Sequence, residues 1–258
     1  MKNILLTFDD RLVDQAAVKL VELRACLSGD VFIYMIVSPG VTNIQKEKLS
    51  ALAETLKLKV FFYSGTSKIQ DFESMARASI SYQKFFFPDI LPLNDGYLLY
   101  LDLDTVITRN IDSLFNGEFD EPFAAVALDD FISRKFTRWN QTANGGVNLF
   151  NVRKYVELGL VNKAHNFIVH HPNPESLYTD LVLNHLQYNK WFKLDPIYNT
   201  AFVKTWFTLS PRKRRDFAVI HFLGKRKPWK KFVYSPLGYR YMRMYKIRAS
   251  SLQRHLRT

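Results

Sequence analysis

The stretch that decides the fold is residues 97–110, YLLYLDLDTVITRN. An uninterrupted apolar and aromatic run of this kind predicts a strand buried on both faces of a sheet. The run ends in Asp102, Leu103 and Asp104. Burying an unpaired carboxylate costs several kcal/mol of folding free energy, so this pair indicates a binding site rather than a feature that stabilises the fold. Side chains at positions i and i+2 of a strand point the same way, so both carboxylates can meet one cation, directly or through a bound anion. The alternative is a solvated strand end that caps the next turn.

Strand and helix patterns alternate before that segment. Strands are predicted at 3–8, 31–37 and 58–64, and helices at 13–27 and 43–56. This succession predicts a parallel sheet with covering helices. Ligands in such sheets bind at the carboxyl ends of strands, which places Asp9 and Asp10 on the same rim as Asp102 and Asp104. The first strand is not followed by GxGxxG, so the dinucleotide-binding fingerprint is absent.

The pattern continues after residue 110 without a domain boundary before about residue 230. Helices are predicted at 81–88, 110–115, 153–171 and 174–186, and strands at 123–128, 145–151, 191–199 and 217–222. The polar and basic residues 129–142 are predicted to form a long loop of the kind that carries function.

Composition limits the protein's class. The chain has 258 residues, 47% of them hydrophobic, enough for a substantial core. Its net charge of +12 implies an anionic partner: nucleic acid, an anionic membrane surface or a phosphorylated substrate. The single cysteine, Cys26, excludes an internal disulfide and a cysteine-built zinc site, and its helical apolar pattern predicts a core position. Without a signal-peptide pattern or a membrane-spanning run, we expect a cytoplasmic protein, with any membrane contact peripheral at the inner face of the cytoplasmic membrane.

Residues 230–258 differ from the rest of the chain. They contain no acidic residue and interleave aromatic and aliphatic side chains with Lys and Arg. On a helix this pattern gives an aromatic face beside a cationic one, which suits an anionic lipid interface. The alternative is a solvated basic tail. We therefore divide the chain into a domain at 1–229 and a basic aromatic tail at 230–258.

Three further segments carry residues suited to binding chemistry. Asn144 precedes two glycines at a strand entrance, where the backbone can approach a ligand and the amide can bond sugar hydroxyls; a tight turn is the alternative. His221 ends an apolar strand and is followed by Gly224 and three cations, a set that suits a metal and a diphosphate, although a strand-end histidine can also be structural. Asp180 lies on a predicted helix, where it could be an exposed face residue.

The order and spacing of five segments resemble glycosyltransferase family 8, which includes bacterial lipopolysaccharide and lipooligosaccharide galactosyl- and glucosyltransferases. The segments are FDD at 8–10, SYQKF at 81–85, YLDLDTVI at 100–107, NGGVNLFN at 144–151 and HFLGKRKPW at 221–229. The resemblance covers about residues 3–229. It implies a GT-A-type nucleotide-sugar-binding α/β fold, with a mixed, mostly parallel sheet flanked by helices. It also implies a UDP-sugar donor, Mn²⁺ with Mg²⁺ as the alternative, and sugar transfer with retention of configuration.

The resemblance also implies roles for individual residues. The residues that it implies bind the metal ion are Asp102, Asp104 and His221. The residues that it implies bind the sugar-nucleotide donor are Thr7, Phe8, Asp9, Lys84, Asp102, Leu103, Asp104, Asn144, Gly145, Gly224 and Lys227. Within these, Thr7, Asp9 and the backbone of the first strand hold uridine, Gly224 and Lys227 hold the diphosphate, and Asn144 contacts the donor sugar.

The residues expected to act in catalysis are Asp180, Asn144 and Lys84. Two of them depart from the family pattern. Lys84 stands where many members have an arginine, which keeps the charge but loses the planar fork. Thr179 and Asp180 stand where the family has an Asp-Gln pair.

The reaction chemistry follows from the same residues. Two carboxylates and an imidazole suit Mn²⁺ or a similar ion, which would stabilise the charge that develops on departing UDP. Retention requires either a protein nucleophile or attack by the acceptor from the leaving-group face. We favour attack from that face, because the sequence offers no unambiguous nucleophile; Asp180, Asp129 and Asp130 are the candidates for the other route.

The sequence thus predicts a metal-dependent, retaining hexosyltransferase. It would use UDP-glucose or UDP-galactose and a glycan or glycolipid acceptor, as in lipopolysaccharide or other cell-surface polysaccharide synthesis. One alternative is a sugar-nucleotide hydrolase or nucleotidyltransferase with the same metal site. Another is a basic nucleic-acid-binding protein, which the acidic rim disfavours because its carboxylates repel phosphate. The sugar, the acceptor, the linkage and the oligomeric state stay open.

Overall fold

The computed structural model describes residues 1–69, 80–127, 142–171, 179–186, 190–201, 217–224, 227–230 and 243–250. The helices of this part are α1 (Val13–Cys26), α2 (Asn43–Thr55), α3 (Phe87–Ile90), α4 (Val152–Glu157), α5 (Leu160–Val169), α6 (Thr179–Leu186) and α7 (243–250). The strands are β1 (Lys2–Phe8), β2 (Val31–Val37), β3 (Lys59–Ser64), β4 (Tyr97–Leu101), β5 (Thr105–Ile107), β6 (Phe123–Ala127), β7 (Ala143–Asn151), β8 (Phe192–Lys193), β9 (Thr200–Ala201) and β10 (Val219–His221).

A mixed sheet forms the centre of the molecule. Seven of the described strands join it in the order β3-β2-β1-β4-β7-β6-β8. Strands β3, β2, β1 and β4 pair in parallel, β7 runs antiparallel to both β4 and β6, and β8 is parallel to β6. The carboxyl ends of β1 and β4 therefore meet at one edge. This confirms the predicted α/β class with a mixed, mostly parallel sheet.

A second, smaller sheet positions the later part of the chain. Among the described strands it contains β5, β10 and β9, with β10 antiparallel to β5 and parallel to β9. The chain passes from β4 in the large sheet to β5 in the small sheet through Asp102, Leu103 and Asp104. The two carboxylates thus lie at the junction between the sheets.

Helices cover both faces of the large sheet, because its strands are apolar on both sides. Residues 4–6 of β1 are fully buried. Helices α1 and α2 pack on one face, and residues 85–87 with helices α5 and α6 pack on the other. Burying one large apolar side chain stabilises the fold by about 1.5–3 kcal/mol, so this two-sided packing holds the strand ends in fixed positions. Cys26 is buried in the first of these layers, as predicted.

Four predicted elements differ from the observed ones. The predicted helix 110–115 is a 3-10 turn at Asp112–Phe115. The predicted helix 153–171 is divided into α4 and α5 at Gly159, whose φ of 60° lies in the left-handed region. The predicted strand 191–199 is reduced to β8, because the Asp195 side chain accepts a hydrogen bond from Ile197 N and caps a 3-10 turn at Pro196–Tyr198. Pro88 lies in the first turn of α3 rather than ending a helix. Of the predicted loop 129–142, residues 129–141 lie outside the described residues.

Helix α7 packs against the small sheet. Its Tyr245 is buried with Val106, Ile220 and Phe222 in a separate apolar cluster. Arg248 on the same helix pairs with the carboxylate of Glu22 on α1. A hydrogen bond to a charged group contributes about 1.5–3 kcal/mol, so this pair and the buried tyrosine hold α7 on the domain.

The predicted boundary at residue 230 and the predicted membrane attachment of the tail stay predictions. Among the helices of the described residues, none combines the length and hydrophobicity that a membrane span requires.

Candidate active site

Asp102 and Asp104 lie in a turn, not on a strand as expected. β4 ends at Leu101 and β5 begins at Thr105. Asp102 N donates to Gly146 O at 2.9 Å, and Asp102 O accepts from Thr105 N at 3.2 Å and from Thr105 Oγ1 at 2.6 Å. The turn is therefore fixed to β7 on one side and to β5 on the other. The two carboxylates converge through the curvature of this turn and not through the pleat of a strand.

The pairing of β10 with β5 brings His221 to this turn. His221 lies opposite Thr105 in the antiparallel register, and Phe222 N donates to Asp104 O at 3.0 Å. His221 Nε2 is 3.2 Å from Asp104 Oδ1 and 3.6 Å from Asp102 Oδ2. One ligand atom from each of the three residues lies within 4.8 Å of the others. The structure thus brings together the three residues expected to bind metal.

The donor set fits a divalent cation. Asp104 Oδ1 is buried and accepts no hydrogen bond with acceptable geometry within the described part of the chain. Two carboxylates and one imidazole provide oxygen and nitrogen ligands of the kind that Mn²⁺ and similar ions accept. Three protein ligands would leave other coordination positions open to a further ligand. A bound cation would explain a buried acceptor that has no well-aligned hydrogen bond.

The charges of these residues depend strongly on one another. Burial opposes protonation of His221, but the carboxylates of Asp104 and Asp102 outweigh it and raise the pKa of the imidazole. Burial also opposes ionisation of Asp104, but His221 and Lys227 outweigh it and hold the pKa of that carboxyl well below its usual range. Without a cation, a proton on His221 partly neutralises the two carboxylates. A divalent cation would displace that proton on binding.

The two residues expected to hold the diphosphate lie beside this cluster. Lys227 Nζ pairs with Asp104 Oδ2 and donates to Phe222 O at 3.3 Å. Gly224 is exposed and has a φ of 68°, a left-handed conformation that favours glycine. Lys227 therefore places a cation next to the three converging residues.

Lys84 and Asp180 flank Gly145 on the other side of the cluster. Lys84 is fully buried, and its Nζ donates to Gly145 O at 2.6 Å and lies 4.2 Å from the Tyr100 ring centre. Burial lowers the pKa of Lys84, against the pull of Asp102 and Asp180. Asp180 accepts a hydrogen bond from Gly145 N, and burial raises its pKa although that bond and Lys84 oppose the rise.

Gly145 and Gly146 leave no room for a side chain, because atoms of neighbouring residues lie where a Cβ would be. Neither glycine has a backbone φ in the left-handed region. A Cβ on Gly145 would lie 2.8 Å from Asp180 Oδ1 and 3.2 Å from Lys84 Nζ. A Cβ on Gly146 would lie 2.1 Å from Cε1 of His221, well inside contact distance. The two glycines thus make room for the Lys84 and Asp180 side chains and for the His221 imidazole.

The remaining residues expected to bind the donor lie at the carboxyl end of β1 and in the turn. Thr7 Oγ1 is 3.3 Å from Tyr100 OH, and Phe8 and Leu103 are buried. Asp9 accepts from Arg11 N at 3.1 Å and from Arg11 Nε at 3.0 Å, so its carboxylate is already paired. Their roles in binding uridine stay predictions.

Sequence reasoning missed two residues that contact the site. Tyr100 OH donates to Asp102 Oδ1 and so holds that carboxylate. Its position two residues before Asp102, in the same predicted strand, was a signal that the sequence offered, because strand alternation would have placed both side chains on one face. Asn199 contacts His221 from a segment that had been interpreted as a strand, and nothing in its local sequence indicated this.

Comparisons with known proteins agree with this geometry. The family described as "Glycosyl transferase family 8" matches residues 3–232. The chain is 31% identical over 163 residues to glycosyltransferase GlyA of Streptococcus pneumoniae serotype 4, covering 61% of this chain and 23% of that protein. It is 26% identical over 207 residues to the lipopolysaccharide 1,2-glucosyltransferase of Escherichia coli K12, covering 74% of this chain and 61% of that protein. The chain therefore spans less than two thirds of either relative.

Solved structures show the same fold. Galactosyltransferase LgtC, in complex with donor and acceptor sugar analogues, superposes with a TM-score of 0.77 at 17% identity, over 96% of this chain and 95% of that one. Glycosyltransferase GlyE of S. pneumoniae TIGR4 gives a TM-score of 0.74 at 15% identity, over 97% and 63%. These similarities confirm the predicted GT-A-type fold. Because the family match extends over most of its length, the chain belongs to glycosyl transferase family 8.

Proposed function

We propose that this protein is a metal-dependent, retaining hexosyltransferase that moves glucose or galactose from a UDP-sugar to a glycan or glycolipid acceptor. The observation that carries the proposal is the convergence of Asp102, Asp104 and His221 at the junction of the two sheets. Membership of the family supports the reaction class. The names of the relatives, a lipopolysaccharide glucosyltransferase and a galactosyltransferase, support a hexose donor and a cell-surface glycan acceptor.

In this proposal Asp102, Asp104 and His221 hold a divalent cation, Mn²⁺ or Mg²⁺. When bound, the ion supplies Lewis-acid stabilisation of the negative charge on the diphosphate leaving group. Lys227, beside Asp104, adds a second positive charge on the same side. The bond from the anomeric carbon to the diphosphate oxygen breaks, and a bond to the acceptor hydroxyl oxygen forms. The hydroxyl proton passes to an oxygen of the departing phosphate, which balances the charge.

The environment of Asp180 supports attack by the acceptor from the leaving-group face. Its Oδ1 accepts a hydrogen bond from Gly145 N, so this oxygen already has a partner at the start of β7. An oxygen that accepts a hydrogen bond from a backbone amide has one lone pair fewer for attack on the anomeric carbon. In this proposal Asp180 fixes the position of Gly145 rather than forming a covalent sugar intermediate. Asp129 and Asp130 lie outside the described residues.

A thermal-shift experiment with donors and metals tests the proposal. We expect UDP-glucose or UDP-galactose with Mn²⁺ to raise Tm by about 5–10 °C at a hundredfold excess over Kd, because such binding stabilises by about 2.7 kcal/mol and each kcal/mol raises Tm by about 2–4 °C in a protein of this size. The same sugar nucleotide with EDTA, and ADP-glucose with Mn²⁺, serve as controls. Stabilisation that is independent of the metal would contradict the proposal. Product analysis then separates transfer from hydrolysis, since a hydrolase releases free sugar whether or not an acceptor is present.

We extend the proposal to peripheral attachment on an anionic membrane through residues 230–258. In the described part of this tail, Tyr245 and Arg248 of α7 face the domain. Arg243, Lys246 and Ile247 are exposed, the last at 53%. Two cations beside an exposed apolar side chain suit the headgroup region of anionic lipids.

Charge reversal on α7 tests this attachment. We expect the variant Arg243→Glu/Lys246→Glu to lose most of its sedimentation with phosphatidylglycerol vesicles at moderate salt, since each cation near the surface contributes about 1 kcal/mol. The variant Lys48→Glu/Arg153→Glu makes the same change in net charge at exposed positions on the main domain. Equal binding by both variants would show that attachment does not depend on α7.

A further inference from the structure

The side chain of Asn199 lies between the metal-site imidazole and the glycine-containing start of β7. Its Oδ1 is 3.1 Å from His221 Nδ1, and its Nδ2 donates to Asn144 Oδ1 at 2.8 Å. The same oxygen of Asn144 accepts from Gly146 N at 2.9 Å. Asn144, Asn199 and His221 are each at most 4% exposed, so water does not compete for these hydrogen bonds.

The direction of every bond in this chain follows from its first member. The backbone N–H of Gly146 can only donate, so the Asn144 atom that faces it is the oxygen. That oxygen can only accept, so the Asn199 atom that faces it is the NH₂ group, as assigned. The oxygen of Asn199 must then face His221 Nδ1, which therefore carries a proton. In the neutral imidazole, Nε2 is left with the free lone pair.

Nε2 is also the ring atom that points towards the carboxylates. It lies 3.2 Å from Asp104 Oδ1 and 3.6 Å from Asp102 Oδ2, whereas Nδ1 faces Asn199. The tautomer that the hydrogen bonds select is thus the one that can offer a lone pair to a cation between these residues. The opposite tautomer would direct an N–H at that position and exclude a metal.

The backbone around Asn199 is held on both sides. Before it, the 3-10 turn Pro196–Tyr198 is tied to the small sheet, because Ala218 N donates to Ile197 O at 2.8 Å. After it, β9 begins at Thr200, which lies opposite Ile220 in the parallel register with β10. An acceptor on a fixed backbone can orient an imidazole at little entropic cost.

We propose that Asn199 is a positioning residue for the metal site. The hydrogen bond from Gly146 N fixes the orientation of the Asn144 amide, which in turn fixes the orientation of the Asn199 amide. The Asn199 oxygen then holds His221 in the tautomer and ring orientation in which Nε2 binds a divalent cation. The inference rests on the proposed metal-dependent function, but the hydrogen bonds that carry it do not require the metal. A merely structural Asn199 would satisfy buried polar groups and leave metal affinity unchanged on replacement.

Three variants separate these roles. Asn199→Leu removes the acceptor for Nδ1–H. Asn199→Asp keeps an acceptor for Nδ1–H but places a second oxygen against Asn144, so it loses stability while keeping the tautomer. Asn3→Leu is the matched control: Asn3 is 5% exposed and hydrogen-bonded to Tyr97 O, but it lies at the amino end of β1, about 13 Å of strand from Thr7.

The first measurement is Mn²⁺ affinity, read from the electron paramagnetic resonance signal of free Mn²⁺ with and without UDP. We expect Asn199→Leu to bind Mn²⁺ about 10–100-fold more weakly than the unaltered protein, the usual cost of losing a partner of a metal-binding histidine. We expect Asn199→Asp to stay within about threefold, since a carboxylate also accepts from a metal-binding histidine. Asn3→Leu should lower stability without changing Mn²⁺ affinity. Unchanged affinity in Asn199→Leu would overturn the proposal.

The second measurement is the ¹⁵N spectrum of His221 in the metal-free protein at alkaline pH, where the ring is neutral. We expect a protonated Nδ1 and an unprotonated Nε2 in the unaltered protein and in Asn199→Asp, and a mixture of tautomers in Asn199→Leu. The same single tautomer in all three proteins would also overturn the proposal. If the unaltered protein bound no Mn²⁺, the proposed function would fail, while this spectrum would still decide the role of Asn199.

Discussion

Replacing Gly146 by alanine is expected to reduce sugar transfer roughly a thousandfold while the protein stays folded. The new Cβ would lie 2.1 Å from Cε1 and 2.4 Å from Nδ1 of His221, so the ring has to leave its present position. Gly146 cannot move instead, because its O accepts from Asp102 N and its N donates to Asn144 Oδ1. A thousandfold loss corresponds to about 4 kcal/mol, the size of effect seen when one preorganised electrostatic contact is removed.

The control for this variant is Gly117→Ala. Gly117 is exposed, and a Cβ there would meet no atom within 4 Å. Steady-state transfer kinetics and Mn²⁺ affinity should change together in Gly146→Ala and should both be unaffected in Gly117→Ala. The double variant Gly146→Ala/His221→Ala removes the clash along with the ligand, so it should recover stability but not activity. Transfer by Gly146→Ala at the unaltered rate would show that the position of His221 is not needed.

The elements of the large sheet could be predicted because each is encoded locally. Strand β2 was predicted at 31–37 and observed at Val31–Val37, since a continuous apolar run fixes both of its ends. Helix α2 was predicted to begin at Asn43, and Thr42 and Gln45 form a capping box there. Such signals lie within a few residues of the element that they define, so these elements can be predicted from a single sequence.

The site depends instead on contacts between distant segments. The convergence of Asp102 and Asp104 was predicted from strand alternation, yet it arises from a turn whose hydrogen bonds come from β7 and β5. Asn199 and His221 are 22 residues apart, and the pairing of β9 with β10 brings them together. Local patterns do not specify which strands pair in a second sheet, so the partner of the histidine could not be inferred.

The burial of Lys84 could also not be predicted from the sequence. A lysine before three phenylalanines can belong to an exposed helix face, but residues 83–86 form a 3-10 turn, in which successive side chains are separated by about 120° rather than 100°. This turn directs the amine to Gly145 O, inside the protein. The expected contact of Lys84 with the donor stays a prediction, and the observed contacts suggest that Lys84 acts by fixing Gly145.

Asp104→Asn is expected to cause the largest loss of transfer, about a thousandfold or more, with little change in shape. The substitution keeps the side-chain volume but removes the negative charge that faces both His221 Nε2 and Lys227 Nζ. Asp104 Oδ1 is a buried carboxylate oxygen without a well-aligned hydrogen bond from the described residues, so a cation would depend more on this oxygen than on a surface carboxylate. An amide oxygen there binds a divalent ion weakly, and an amide NH₂ group in its place would repel the ion.

The matched control is Asp112→Asn, and the measurements are transfer kinetics and Mn²⁺-dependent stabilisation. Asp112 also pairs with a lysine, since Lys2 Nζ lies 2.9 Å from its Oδ1, but this pair is remote from His221 in the hydrogen-bond network. Both variants lose an ion pair and should therefore lose stability. Only Asp104→Asn should also lose the rise in Tm on addition of Mn²⁺ with a UDP-sugar. Because both variants lose an ion pair, a difference confined to the metal response isolates the ligand role of Asp104. Equal responses in the two variants would mean that the three converging residues do not form the metal site.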